Sequence, residues 1–268
     1  MATFLKEYDL DQLKQHLPIV MSLLGGRRQG KSVMLSKILS HLRDEFDVLI
    51  SFTGSVSCSP HLEKLYYEVP HWDPGFMFNS CNAEMLKTIC NQQENLKTRG
   101  VTRRIAMLFD DVEFDNPESQ AYLGFCASRG RHYNISMFNV SVSYTLINKN
   151  FRRSLDVLGI FSLPSLNDKQ ILLKEYSRNP DLGSFAMDNL EKYECLIMET
   201  NSHKQELFKY RVNLETPSEP IDVSSEKTTP ALDHSTPQDP VLANETHTDE
   251  NSCVASLAEE NNGSVPVV

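Results

Sequence analysis

The chain has 268 residues, 40% of them hydrophobic, and a formal net charge of −10. That length accommodates one sizeable α/β domain or two small ones. No apolar run approaches the roughly 20 residues that span a bilayer, and charged residues follow Met1 where a signal peptide would be apolar, which argues against a transmembrane or secreted protein. The six cysteines include no CxxC pair, so neither a zinc site nor a disulfide framework is expected. Reduced thiols of this kind indicate an intracellular location.

The negative charge is concentrated at the end of the chain. Residues 215–268 contain eleven acidic residues, one lysine, six of the 13 prolines and no aromatic residue, whereas residues 1–214 hold 25 acidic and 25 basic residues. Such a segment buries too little apolar surface to offset its chain entropy. We therefore expect a disordered acidic tail. Because residues 1–214 are neutral overall, the negative net charge of the chain does not argue against a nucleic-acid partner for that part.

Hydrophobic patterning predicts one α/β domain over residues 18–214, after a partly helical lead-in at 1–17. Short apolar runs indicate buried strands, and apolar residues at helical spacing indicate helices between them. This alternation predicts a mostly parallel sheet with helices on both faces. Residues 53–80 carry no assignable pattern. The predicted strands are 19–24, 46–52, 104–109, 135–142, 157–163, 193–200 and 206–212, the last two forming a hairpin, and the predicted helices are 31–42, 82–96, 117–128, 146–155 and 167–176.

The most specific motif follows the first of these strands and begins the first helix. The letters GGRRQGKS fit the phosphate-loop pattern G-x-x-x-x-G-K-[ST] completely. Glycines let the backbone approach phosphate oxygens closely, and the amide hydrogens with the helix end favour the anion. Lys31 would reach the β and γ phosphates of ATP, and the Ser32 hydroxyl would ligate Mg²⁺. The predicted ATP-binding residues are Gly25, Gly26, Arg27, Arg28, Gln29, Gly30, Lys31 and Ser32.

Two acidic residues end the predicted strand 104–109. Asp110 would orient Mg²⁺ through water, and Asp111 would accept a proton from the attacking water or position it. Aspartate is also common in turns at strand ends, so the metal interpretation depends on the phosphate loop. The chain lacks the base-reading motif of a GTPase and the arginine-rich lid of a small-molecule kinase, which favours ATP hydrolysis coupled to motion.

The segments LLGGRRQGKS, RIAMLFDDV and SRGRHYNISMF resemble the poxvirus-type DNA-packaging ATPases of large DNA viruses, within the FtsK/HerA group of P-loop translocases. The resemblance covers residues 18 to about 200, and the same enzyme type occurs in virus-like mobile elements of the Polinton class. It implies a RecA-like core that assembles as a ring, commonly of five or six subunits, around duplex DNA. It also implies that an arginine of the neighbouring subunit completes each ATP site. Arg131 is the first candidate for that arginine finger, followed by Arg129 and then by Arg152 and Arg153.

The chain departs from this family at two positions. Val142 occupies the place where the family usually has a polar sensor, often Gln, and Ser141 or Ser143 is the candidate substitute. Many translocases also have Glu where this chain has Asp111. Both departures concern the rate of hydrolysis and its coupling more than nucleotide binding.

The leading hypothesis is an ATP-driven motor that moves double-stranded viral DNA, without sequence specificity, into a preformed capsid. It would act inside the host cell, in the cytoplasm or nucleus where virions assemble, with a capsid or core protein as a further candidate partner. The alternatives are a P-loop nucleotide kinase or helicase-like ATPase, and an ATP-binding assembly scaffold with little turnover. Two basic clusters are candidate DNA contacts through phosphates: Arg99, Arg103 and Arg104, and Lys149, Arg152 and Arg153.

Overall fold

Nine β-strands form one sheet in the computed structural model of the chain, which describes residues 5–54, 60–112, 116–177, 179–200 and 207–213. The acidic tail expected at 215–268 lies outside the described residues. The strands are β1 (Lys6–Glu7), β2 (Val20–Leu24), β3 (Val48–Thr53), β4 (Met77–Phe78), β5 (Ile105–Asp110), β6 (Ile135–Ser141), β7 (Val157–Ile160), β8 (Glu194–Glu199) and β9 (Leu207–Arg211). The helices are α1 (Lys31–His41), α2 (Pro60–Glu68), α3 (Ala83–Thr98), α4 (Pro117–Arg129), α5 (Lys149–Arg153), α6 (Leu166–Tyr176) and α7 (Pro180–Asp188).

The strand order is β1-β9-β8-β7-β2-β6-β5-β3-β4. Every pairing is parallel except those of β8, which is antiparallel to β7 and to β9. The mostly parallel sheet and the closing hairpin are thus confirmed. The carboxyl ends of β7, β2, β6, β5 and β3 all lie at one edge of the sheet, and the segments that follow these strands gather there.

Helices cover both faces of the sheet, as the sequence predicts. Alternate residues of β2 enter different cores: Met21 and Leu23 pack with the apolar side of α1, whereas Val20 and Leu24 belong to the cluster that includes α3 and α4. A strand buried on both faces is typically a nearly continuous apolar run, and this accounts for its sequence, in which Ser22 is the one polar residue. Within the described part of the chain, no helix combines the length and apolar character needed to cross a bilayer.

Four elements have no counterpart among the predicted ones: β1, β4, α2 and α7. The two short strands exist because a longer neighbour supplies their hydrogen bonds, and two residues carry too little pattern to indicate a strand. Helix α2 lies in the stretch without an assignable pattern and buries Leu62 and Leu65 in the core that also contains the apolar side of α1.

Helix α5 is shorter than predicted. The Asn148 side chain accepts hydrogen bonds from the amides of Asn150 and Phe151, at 2.8 Å and 3.3 Å, so the helix begins at Lys149 and not at residue 146.

Residues 5–17, the described part of the expected lead-in, pack on the sheet. Strand β1 pairs in parallel with β9, and a 3₁₀ helix at Leu10–His16 follows it. Tyr8 and Leu13 are buried in the core that contains α1. This segment therefore covers a strand edge and adds apolar contacts to the domain.

We predict that Leu13→Ala lowers the free energy of unfolding by about 2–5 kcal/mol, because it removes a fully buried side chain from a packed core. Leu10→Ala, in the same 3₁₀ helix but half-buried, is the matched control and should cost less. Denaturant unfolding of the two variants measures both values. A loss below about 1 kcal/mol in Leu13→Ala would contradict the packing of this segment into the core.

Candidate nucleotide-binding site

The phosphate loop connects β2 to α1 at the carboxyl edge of the sheet, and two of its glycines are required by the local geometry. Gly25 has φ 154°, and a Cβ there would lie 2.5 Å from Cβ of Phe161. Gly30, the residue before α1, has φ 97° in the left-handed region. A side chain at either position would strain the backbone or collide with its neighbour.

Strands on both sides hold the loop in place. The Gly25 amide donates to the Ser141 carbonyl at 3.3 Å, and the Gly26 amide donates to the Ser162 carbonyl at 2.9 Å. Ser141 ends β6, and Ser162 follows β7. The loop is therefore fixed to the two strands that flank β2.

Lys31 is the buried cation of the site. It is only 8% exposed, and its Nζ donates to the carbonyls of Gly25 and Gly26 at 2.8 Å and 2.9 Å. Burial lowers the pKa of Lys31, while the charges of Asp111 and Asp110 act in the opposite direction. Ser32 follows in the first turn of α1 and is partly exposed. The structure thus brings together the lysine and both acids of the predicted site.

The two aspartates at the end of β5 have different surroundings. Burial, and then the neighbouring charge of Asp111, raises the pKa of Asp110 to about 6, although Lys31 opposes this shift. Asp111 is exposed, and its φ of 49° is a conformation that costs a non-glycine residue on the order of 1 kcal/mol. Backbone strain of this kind is concentrated at functional sites, and here it turns the chain directly after the strand.

A cavity of about 460 Å³ opens beside the acids. Arg27, Asp111 and Val142 contribute to its wall, which also includes Gln120, Leu123, Asn139, Ser141, Leu146, Ile147 and Asn148. The cavity lies between the end of β5 and the segment that follows β6, on the side of the phosphate loop that faces Asp111. Of the predicted site, one phosphate-loop residue, Arg27, and one acid, Asp111, thus contribute to this wall.

Asn139 is a polar residue of this cavity that the sequence did not single out. It lies on β6 opposite Ser22 of β2, and its Nδ2 donates to Ser22 Oγ at 3.1 Å. Asn139 could have been identified from the sequence as a polar side chain in the middle of a predicted buried strand. Of the predicted substitutes for the missing sensor, Ser141 also lines the cavity, and its Oγ donates to the Ser143 carbonyl at 2.9 Å. Ser143 Oγ donates to Asp168 at 2.6 Å.

The donor chemistry fits Mg²⁺. Ser32 and Asp110 supply hydroxyl and carboxylate oxygens, the ligands that this cation prefers. Burial and the neighbouring charge of Asp111 raise the pKa of Asp110, and a bound cation would stabilise its charged carboxylate. No group of three or more His, Cys, Asp or Glu side chains suited to a metal occurs in the described ranges, so the phosphates and water would supply the remaining ligands.

The structure places none of the candidate finger arginines beside the phosphate loop of the same chain. Arg131 precedes β6, and its Nη2 lies 3.3 Å from Oδ1 of the buried Asp156. The other oxygen of Asp156 accepts the amide of Val20 at 2.9 Å, so the pair joins the amino ends of three strands. Arg129 ends α4, with its guanidinium 5.1 Å from the centre of the Phe125 ring. All of these residues lie at the edge opposite the phosphate loop.

The two basic clusters differ in how they are paired. Arg104 forms ion pairs with Glu45 and Asp47, at 3.3 Å and 3.2 Å. By contrast, Lys149, Arg152 and Arg153 line a second cavity of about 450 Å³, together with Leu155, Glu175, Tyr176 and Thr200. Arg152 lies 4.7 Å from the centre of the Tyr144 ring and 3.7 Å from Glu175, whereas Arg153 is exposed.

Solved structures with a similar fold include ATPases of several systems. The DNA-packaging ATPase B204 from Sulfolobus turreted icosahedral virus has a TM-score of 0.56 and 13% identity, over 74% of this chain and 100% of its own. B204 from Sulfolobus turreted icosahedral virus 2, in complex with ATPγS, has a TM-score of 0.55 and 12% identity over 74% and 98%. The cytoplasmic domain of the type VII secretion ATPase EccC from Thermomonospora curvata has a TM-score of 0.55 and 13% identity over 76% and 26%.

The fold is that of the RecA-like P-loop ATPases, which confirms the predicted core. The structural neighbours are of the FtsK/HerA type and include a viral genome-packaging NTPase. No protein-family model and no curated protein sequence matches the chain.

We predict that Asp110→Asn changes the pH dependence of folding stability. The folded-state pKa of Asp110 is about 6 and its ordinary value is 3.8, so between these values the folded chain keeps a proton that the unfolded chain loses. Wild-type stability therefore falls as the pH rises through this window. The variant's stability relative to wild type should increase by on the order of 2 kcal/mol between about pH 4.5 and pH 7.

Denaturant unfolding in the presence of a chelator, without nucleotide, measures this difference. Asp111→Asn is the control, and it should retain most of the wild-type pH dependence because burial is the larger cause of the shift. A difference between Asp110→Asn and wild type that does not change with pH would contradict the assignment of a buried, proton-binding Asp110.

Proposed function

We propose that the chain is an ATPase whose hydrolysis drives double-stranded viral DNA into a preformed capsid during virion assembly in the host cell. The proposal rests on one observation: Lys31, Asp110 and Asp111 lie together beside the phosphate loop. They do so in a fold similar to that of a viral DNA-packaging ATPase. We also propose that the chain belongs with the poxvirus-type DNA-packaging ATPases, which its motifs resemble.

The loop residues would bind the phosphates of ATP. Lys31 Nζ, which donates to two loop carbonyls, would donate to β and γ phosphate oxygens, and the amides at the start of α1 would add further donors. Ser32 and Asp110 are the residues we expect to hold Mg²⁺, which when bound neutralises charge on the phosphate oxygens. The oxygen donors of these two residues support that assignment.

Asp111 has the position and exposure of a residue that handles the attacking water. Water would attack the γ phosphorus, the bond to the bridging oxygen of ADP would break, and the water's proton would pass to the Asp111 carboxylate before release to solvent. Asn139, in the wall of the same cavity, is the side chain we propose in place of the sensor that Val142 cannot provide.

A head-to-tail ring would use the two opposite edges of the sheet. In such a ring the same two surfaces meet at every interface. The carboxyl edge carries Asp110 and Asp111, and the opposite edge carries Arg131 and Arg129. We propose that the arginine edge of one subunit closes on the phosphate loop of the next, with Arg131 as the first candidate finger. It is half-exposed, and an ion pair through one nitrogen leaves a guanidinium further N–H groups for a phosphate.

The cavity lined by Lys149, Arg152 and Arg153 is the surface we propose for DNA phosphates. An exposed arginine beside a lysine binds phosphates without reading the base sequence, as a translocating enzyme requires. The other basic cluster is less suited, because Arg104 is already neutralised by two carboxylates.

We predict that duplex DNA stimulates ATP hydrolysis by the full chain and that Lys31→Ala abolishes turnover, because it removes the cation that binds the transferred phosphoryl group. Measuring phosphate release with and without DNA tests both statements. Arg153→Ala should raise the DNA concentration needed for half-maximal stimulation, whereas the matched variant Arg104→Ala should not.

Each other outcome identifies a different function. Hydrolysis that Lys31→Ala leaves intact would contradict the active-site assignment. Phosphate transfer to a nucleoside monophosphate without DNA stimulation would indicate a kinase. ATP binding without turnover would indicate an assembly scaffold.

We predict that Arg131→Ala reduces turnover by 10³-fold or more, roughly the lower end of the usual effect of an arginine finger, while ATP binding persists. Mixing Arg131→Ala subunits with Asp111→Asn subunits should restore part of the activity. Some interfaces in the mixture would pair an intact Arg131 with an intact Asp111. Activity of the mixture no greater than that of the separate variants would remove Arg131 from this role, and the same mixing with Arg129→Ala would then test the second candidate.

A further inference from the structure

A tyrosine ring lies against the phosphate loop on the side away from the acids. A Cβ added to Gly30 would lie 3.1 Å from ring carbon Cδ1 of Tyr193. Tyr193 precedes β8, and because β8 is antiparallel to β7 its first residues return to the carboxyl edge of the sheet. The ring therefore belongs to the same edge as the loop, Lys31 and Asp110.

The position of the acids determines which way a bound nucleotide extends. Asp110 and Asp111 end β5, which lies on the β6 side of β2. A terminal phosphate held between Lys31 and these acids leaves the rest of the nucleotide to extend towards the opposite side, where β7, β8 and β9 lie. Two aromatic residues adjoin the loop on that side: Phe161, which is fully buried, and Tyr193, which is partly exposed.

The backbone holds the ring in this place at a cost. Tyr193 has φ 68°, a left-handed conformation that a bulky residue seldom adopts. Its carbonyl accepts the amide of Val212 at 2.9 Å, which ties the turn to the end of β9. The ring is partly exposed, and Lys192 Nζ lies 4.9 Å from its centre. The ring also packs against the core that contains α1. A strained, partly exposed aromatic residue beside a phosphate loop has the features of a ligand platform.

We propose that Tyr193 is the platform on which the base of the nucleotide stacks, a role that rests on the proposed binding of ATP by the phosphate loop. Stacking uses the face of the base and not its hydrogen-bonding edge, so the ring would contribute to affinity for any nucleoside triphosphate. The triphosphate would be held by the loop and Lys31, and the base by Tyr193.

The test compares a ligand that has a base with one that does not. Calorimetric titration of wild type, Tyr193→Gly and Tyr193→Phe uses ATPγS and inorganic tripolyphosphate as probes. Tyr193→Gly should weaken ATPγS binding by about tenfold or more and leave tripolyphosphate binding unchanged. Tyr193→Phe keeps the ring and should bind both probes as wild type does. Glycine adopts the left-handed backbone without strain, so this variant removes the ring and keeps the turn.

A second measurement follows the ring directly. Tyr193→Trp places an indole beside the loop, and Trp72, the one tryptophan of the chain, is 2% exposed and provides a constant background. ATPγS should quench the fluorescence of the new indole, and tripolyphosphate should not.

Three results would overturn the proposal: equal weakening of both probes in Tyr193→Gly, unchanged ATPγS binding in that variant, or quenching by tripolyphosphate. Failure of the proposed ATP site is distinguishable, because wild type would then bind neither probe and Lys31→Ala would change nothing. In that case both proposals fall together.

Discussion

The central position of β2 is the constraint on which the rest of the structure depends. The strand is paired in parallel with β6 on one side and β7 on the other, and it is buried on both faces. Ligands of open α/β sheets bind outside the carboxyl ends of such strands. Backbone hydrogen bonds from Gly25 and Gly26 then attach the loop to those neighbours. The loop is thus held by the sheet, and its geometry does not depend on its own short sequence alone.

Electrostatics at this edge follow from burial. Removing Lys31 from water disfavours its charge, and two loop carbonyls with two nearby carboxylates oppose that penalty. Asp110 shows the converse effect, because burial and Asp111 favour its protonated form while Lys31 favours the charged one. Lys31 and Asp110 therefore stabilise each other's charged forms, and changing one alters the protonation of the other.

Charge is also divided between the two edges of the sheet. The acids end β5 at the carboxyl edge, and Arg131 is paired with Asp156 at the opposite edge, where it joins the amino ends of β6, β2 and β7. No candidate finger arginine in the described ranges adjoins the phosphate loop of its own subunit. If the proposed ring forms, full activity would require a neighbour, and assembly itself would control hydrolysis.

The sequence by itself determined the features that are encoded locally. Contiguous residues encode the apolar runs of the central strands, the helical spacing of α1, α3, α4 and α6, and the phosphate loop with Lys31. Each of these was predicted close to its observed bounds. The acids of the site were predictable for the same reason, since Asp110 and Asp111 directly follow a recognisable buried strand.

Only the tertiary structure decided the features that depend on distant segments. Strands β1 and β4 exist through hydrogen bonds to β9 and β3. Asn139 enters the cavity because β6 lies between β2 and β5, and Tyr193 reaches Gly30 because β8 runs antiparallel to β7. Arg131 is directed away from the loop because it precedes its strand, whereas the site follows the strands. Pairing register and strand direction bring such residues together, and neither is encoded within a single stretch of the chain.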